Sequence, residues 1–239
     1  VLRHGLGRYL SQEQLQCLRQ VRIGVAGAGG LGSNAALMLV RSGVGKLLLL
    51  DDDVVDASNL NRQQYWPRHV GQPKVEALAD LLRELDVDLV DRDDDLDARR
   101  LRLTADNLPH LLPLCPIWVE ALDGAEDKRL LVEGALLAGL RVASASGMGS
   151  WGGPAMGKRC LGNLVLVGDF TTDILQAPPL APRVTQAAAL LADAVLEMLD
   201  AEGIREVLAE EGLTLTGILI THSHHDHVNA VRELYGERI

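Results

Sequence analysis

An α/β fold built on a doubly wound, mostly parallel sheet with an antiparallel extension is the architecture this sequence predicts. Three features predict it: short apolar strands that alternate with helical stretches, a glycine-rich turn leading from the first strand into a helix, and an acidic cluster closing the second strand. Val21 to Ala26 is a β-branched run that meets Gly27, Gly29, Gly30 and Gly32, after which Asn34 to Arg41 is rich in helix formers. Ser42-Gly43 stops that helix, and Lys46 to Leu50 is a continuous apolar run of the kind buried on both faces of a parallel sheet, ending at Asp51, Asp52 and Asp53. One right-handed βαβ unit accounts for all of this.

Lys74 to Leu85 reads as an amphipathic helix with Val75, Leu78, Leu81, Leu82 and Leu85 on one side. Ile117 to Ala121 is a strand, Lys128 to Ala138 a helix and Arg141 to Ala145 another strand. From Gly147 the alternation gives way to a glycine-rich loop through Gly153 and two strands, Lys158 to Leu161 and Leu164 to Val167, read as the antiparallel extension. Pro178, Pro179 and Pro182 precede a helix from Thr185 to about Leu199.

At 239 residues, 47% of them hydrophobic, the chain can bury one α/β core plus a short appendage. A net charge of −10 without a Lys/Arg cluster argues against a nucleic-acid binder. Cys17, Cys115 and Cys160 have no metal-ligand spacing and suggest no disulfide framework, so a reducing cytoplasm fits. No apolar run reaches membrane-spanning length.

Gly27-Ala28-Gly29-Gly30-Leu31-Gly32 satisfies the Rossmann-like dinucleotide fingerprint, which alone is a weak signal. Missing side chains let backbone N–H groups approach an anion at a helix N-terminus, where the peptide dipoles favour negative charge. Asp51, 24 positions after Gly27, stands where a ribose hydroxyl needs an acceptor. The alternative is a close helix–strand packing turn.

More selective is Ser58-Asn59-Leu60-Asn61-Arg62-Gln63, followed by Val70-Gly71-Gln72-Pro73-Lys74. With the glycine loop, Gly43 to Asp51, Glu120 to Asp123, Ala143 to Met148 and Ala181 to Val184, these segments resemble the adenylation domain shared by ThiF, MoeB and the ubiquitin-activating enzymes, and most closely a compact ThiF-like subfamily without a zinc site. The likeness runs to about Leu199. It implies ATP-dependent adenylylation of the C-terminal Gly-Gly carboxylate of a small ubiquitin-like sulfur-carrier protein, ThiS-like and in thiamin biosynthesis, by a homodimer.

By resemblance, Arg62 and Lys74 contact the triphosphate, Asp123 holds Mg2+, Asp51 takes the ribose, and Asp53, Asn59 and Gln63 line the same pocket with Gly27, Gly29, Gly30, Leu31 and Gly32. The chemistry is consistent with these types. A carboxylate nucleophile needs no general base, and the obstacle is two anions approaching each other, which positive charge and positioning relieve. Taken singly, Arg62 could be a solvated loop residue, Lys74 an exposed first-turn residue and Asp123 an ordinary turn. Asp123-Gly124 departs from the Asp-Asn of many relatives, Arg8 is only a faint counterpart of their N-terminal arginine, and Cys160 is expected to be buried and inert.

Residues 200–239 hold four of the seven histidines, in Thr221-His222-Ser223-His224-His225-Asp226-His227. This HxHxDH motif, with a helix from Gly203 to Glu211 and a strand from Thr216 to Ile220, resembles the metallo-β-lactamase superfamily. His222, His224, Asp226 and His227 are zinc-ligand types, yet that fold needs a longer chain and further ligands. The expected division is therefore an adenylation domain over 1–199 and a truncated αβ fragment over 200–239. Two other functional classes stay open, a Rossmann oxidoreductase that binds NAD and a non-catalytic nucleotide sensor or scaffold, as does a tRNA-modifying relative within the leading class.

Overall fold

The computed structural model of the chain describes residues 2–86, 95–173 and 177–210, with 200–210 described by backbone alone. Strands β1 (Arg22–Ala26), β2 (Lys46–Leu50), β3 (Leu96–Arg99), β4 (Ile117–Glu120) and β5 (Arg141–Ala145) run parallel. β7 (Leu164–Gly168) continues that direction beside β5, and β6 (Gly157–Leu161) closes the edge antiparallel to it. The order across the single sheet is β3-β2-β1-β4-β5-β7-β6. Doubly wound order and one antiparallel pair agree with the sequence expectation.

Helices α3 (Gly30–Arg41), α4 (Lys74–Leu85) and α7 (Ala181–Glu210) belong with one face of the sheet, α5 (Leu108–Leu111) and α6 (Ala125–Leu137) with the other. Alternation along β2 sorts its side chains: Leu47 and Leu49 join the core containing Leu39, Leu78 and Leu191, whereas Leu48 and Leu50 join the one containing Leu111 and Leu131. Each such buried leucine contributes roughly 1.5–3 kcal/mol. Between β1 and β4, Gly24 is paired in register with Trp118, and a Cβ at Gly24 would overlap the indole ring. Trp118 itself is fully buried.

The structure departs from the sequence reading at several points. α1 (Leu2–Leu6) and α2 (Gln12–Gln20) precede β1, and α2 starts at a capping box in which the Ser11 hydroxyl accepts from the Gln14 amide (3.2 Å) and the Gln14 side chain accepts from the Ser11 amide (2.9 Å). The helices expected at Thr185–Leu199 and Gly203–Glu211 are one, α7, which starts at Ala181 with Pro182 in its first turn and crosses Asp200 without a break. Cys160 is exposed rather than buried, because β6 is an edge strand whose last three residues face solvent; the buried thiol is Cys115. His222, His224, Asp226 and His227 lie outside the described residues. Among the described residues, no helix is long and apolar enough to cross a membrane.

Candidate nucleotide-binding site

The sheet order reverses between β1 and β4, and ligands of open α/β sheets bind beyond the carboxyl ends of strands at such a reversal. Three segments leave the sheet there: the glycine loop after β1, Asp51 to Asp53 after β2, and Ala121 to Asp123 after β4.

The glycine loop is glycine by steric necessity at two points. Gly27 has φ +96°, and a Cβ on it would run into the Ala121 carbonyl; a Cβ on Gly32 would run into the Gly27 carbonyl. Gly29 caps α3, whose first closing bond runs from the Ser33 amide to the Gly29 carbonyl (3.0 Å), so the N–H groups ahead of it lack intrahelical acceptors. Leu31 is a core residue of the α3 side of the sheet.

Asp51 fixes this loop. One carboxylate oxygen accepts from the Ala28 amide (2.6 Å) and the other from the Asp53 amide (2.8 Å). Burial pushes the Asp51 carboxyl up, against the opposing pull of the Ala28 amide and the Lys74 ammonium. The residue expected to meet a ribose thus also holds the turn, with one backbone bond to each oxygen, and Asp52 and Asp53 beyond it are exposed. Asp53 accepts from Lys74 Nζ at 2.6 Å. Lys74 is buried although it stands in the first turn of α4, where a cation opposes the helix dipole.

The Ser58–Gln63 segment packs onto the start of α3. The Asn34 side-chain amide donates to the Gly30 (2.6 Å) and Arg62 (3.0 Å) carbonyls, and its oxygen accepts from the Gln64 side chain (2.6 Å). Arg62 lays its aliphatic stem beside Gly30, while its guanidinium donates to Ser58 O (3.2 Å) and Asn61 Oδ1 (2.8 Å). Gln63 is buried next to Gly29, and its Oε1 has no hydrogen-bond partner. Asn59 closes a short turn by accepting from the Asp56 amide at 2.9 Å, so its oxygen is directed to the backbone. The Tyr65 hydroxyl bridges the Ala28 and Lys74 carbonyls (2.7 and 3.2 Å) and joins the two halves of the site; burial and the Asp51 charge push its pKa far up.

Asp123 stands exposed just beyond β4. Asp51, Asp52 and Asp53 bring carboxylate oxygens within 4.8 Å of one another, hard donors of the kind that suit Mg2+, and Asp123 offers a separate exposed carboxylate. Sequence reading missed the groups behind this front. Glu120, fully buried at the end of β4, forms an ion pair with Lys128 of α6 and accepts from Ser144 Oγ (2.6 Å) and the Leu122 amide (2.9 Å). Asp169 after β7 forms a buried ion pair with Arg183 of α7 (2.6 Å). Arg183 also donates to the Pro154 carbonyl (2.8 Å), and its neighbour Val184 packs against Gly30. Only the motif membership of Glu120 and Arg183 signalled them.

A glycine loop at a sheet reversal, backed by a buried lysine and an arginine, defines the class as a nucleotide-binding α/β protein. Residues 4–218 match the ThiF family model, and the chain belongs to the ThiF family. It is 30% identical over 220 residues to the sulfur carrier protein ThiS adenylyltransferase of Bacillus subtilis, an alignment covering 84% of this chain and 63% of that protein. It is 36% identical over 132 residues to the adenylyltransferase and sulfurtransferase uba4 of Aspergillus terreus, covering 55% and 26%. The chain thus spans less than two thirds of these relatives. The fold is similar to the crystal structure of Escherichia coli tRNA N6-threonylcarbamoyladenosine dehydratase TcdA in complex with ATP, with TM-score 0.75 and 21% identity over 85% of this chain and 95% of that one. It is also similar to Escherichia coli MccB with ATP, with TM-score 0.63 and 20% identity over 78% and 58%.

Proposed function

We propose that the chain adenylylates the C-terminal Gly-Gly carboxylate of a small ubiquitin-like sulfur carrier of the ThiS kind, using ATP and releasing pyrophosphate. The observation that carries this reading is a pair of cationic side chains at the site, the buried Lys74 bound to Asp53 and Arg62 laid beside Gly30 of the glycine loop. A carboxylate oxygen of the carrier attacks the α-phosphorus, a new O–P bond forms, and the bond to the β-phosphate oxygen breaks with its electron pair leaving on pyrophosphate. Arg62 offers a planar fork and Lys74 a compact charge to the phosphate oxygens. The α3 N-terminus adds backbone donors. Mg2+, where bound, neutralises phosphate charge, and Asp123 is the residue assigned to hold it. Asp51 orders the loop and is the carboxylate assigned to the ribose, with Asp53 lining the same pocket and holding Lys74.

The ThiS-named relative supports the carrier and the thiamin pathway; the family membership weighs against the NAD-oxidoreductase reading. TcdA supports keeping a tRNA substrate as the second reading, against which the −10 net charge counts. A homodimer in the cytoplasm is part of the proposal. Zinc at His222, His224, Asp226 and His227 is a separate proposal resting on spacing alone, tested by equilibrium dialysis. ATP–pyrophosphate exchange tests the main reading: exchange that requires a Gly-Gly carrier and collapses in Asp123→Ala supports it, and ATP binding without exchange across a set of such carriers refutes it in favour of a sensor or another acceptor.

A further inference from the structure

We infer that Lys128 and Glu120 form a positioning pair that sets the Ala121–Leu122–Asp123 turn, and with it the carboxylate assigned to the metal. The inference rests on the nucleotide-site reading above and adds a residue on the far side of the turn. Glu120 is fully buried, and a carboxylate so placed must be paired and hydrogen-bonded. Its two oxygens divide the work. Oε1 accepts from the Leu122 amide (2.9 Å), the residue directly before Asp123. Oε2 accepts from Lys128 Nζ and from the Ser144 hydroxyl (2.6 Å).

Lys128 also donates to the Ala145 carbonyl (3.2 Å), so the pair ties β4, α6 and the end of β5 at one point. The turn it fixes meets the phosphate loop on its other side. The Ala121 amide donates to the Ala26 carbonyl (2.8 Å), and the Ala121 carbonyl fills the space a Gly27 side chain would need. Glu120 therefore governs two things at once, the height of Asp123 over the crevice and the spacing of the β4 turn from the glycine loop. Lys128 keeps a third of its side chain accessible, whereas Glu120 has none, so removing the ammonium leaves the buried carboxylate without its counter-charge.

The experiment compares the full chain with Lys128→Met and Lys128→Arg. Hydrogen exchange of the Leu122 amide is read on the ligand-free protein, and ATP binding is read in EDTA and across a magnesium titration. Lys128→Met is expected to melt clearly below the wild type, because the Glu120 carboxylate loses its counter-charge, and, at a temperature where both are folded, to bind metal-free ATP within about twofold. It should lose about tenfold of Leu122 amide protection and need about tenfold more magnesium for half-saturation, with Lys128→Arg restoring both. Unchanged Leu122 protection, or ATP affinity lost equally with and without magnesium, overturns the inference. Should the wild type bind no ATP, the nucleotide reading fails, and the amide exchange still decides whether this pair sets the turn.

Discussion

Replacing Asp169 by asparagine separates a charge from its shape at the point where the glycine-rich loop after β5 is tied to α7. Burial by itself would raise the Asp169 carboxyl, but the hydroxyl and amide of Thr172, the amide of Thr171 and the Arg183 guanidinium outweigh it and hold the group down to about 2, against 3.8 for an ordinary aspartate. At about 1.4 kcal/mol per pH unit, that interval corresponds to about 2 kcal/mol of folding stability. A depressed carboxyl contributes fully above its unfolded pKa and loses the contribution as pH falls through the folded one, so the window lies between about pH 4 and about pH 2. At pH 7 the variant also leaves Arg183 buried without its counter-charge, which adds to the cost. Urea unfolding of wild type and Asp169→Asn at a series of pH values between 3 and 7 reads the difference directly. It should be largest at neutral pH and narrow as pH drops below about 4. A gap that stays constant across the series would refute the claim that the asparagine removes a charge interaction, and would point to packing alone.

Two further outcomes follow from the same geometry. Lys74→Met keeps the aliphatic stem and removes only the ammonium, so stability should stay within about 1 kcal/mol while carrier-dependent pyrophosphate exchange falls by roughly 10²–10³, measured against a thermal-melt control. Burial pushes the Cys115 thiol up to about 12, so a maleimide should label Cys160 in seconds to minutes and leave Cys115 unreacted until the protein unfolds, as peptide mapping would show.

Elements whose buried face is written in consecutive residues were legible: β2, α4 and β5 begin and end where their apolar runs do. β3 was not, since Leu96-Asp97-Ala98-Arg99 buries only its first residue at the sheet edge and carries two charges. α2 could have been found from Ser11 and Gln14, whose capping box lies in plain view ahead of a polar helix. Cys160 misled because an edge strand and an inner strand share a composition. In the site, the glycine loop was marked by its spacing, and Arg62 and Lys74 were picked out by the family resemblance. Asp51 also holds the Ala28 amide, a pairing across 23 residues that no local pattern encodes. The Glu120–Lys128–Ser144 cluster joins three elements, and only the fold brings them together.

The Gly24–Trp118 fit limits how this protein can vary over generations. One strand lacks a side chain where its neighbour carries the bulkiest one, and the two strands deliver the phosphate loop and the metal-side turn. Any enlargement at 24 must be matched by a reduction at 118, or the two strands are pushed apart and the crevice between their ends widens. Chains that have drifted at one position should therefore show a compensating change at the other.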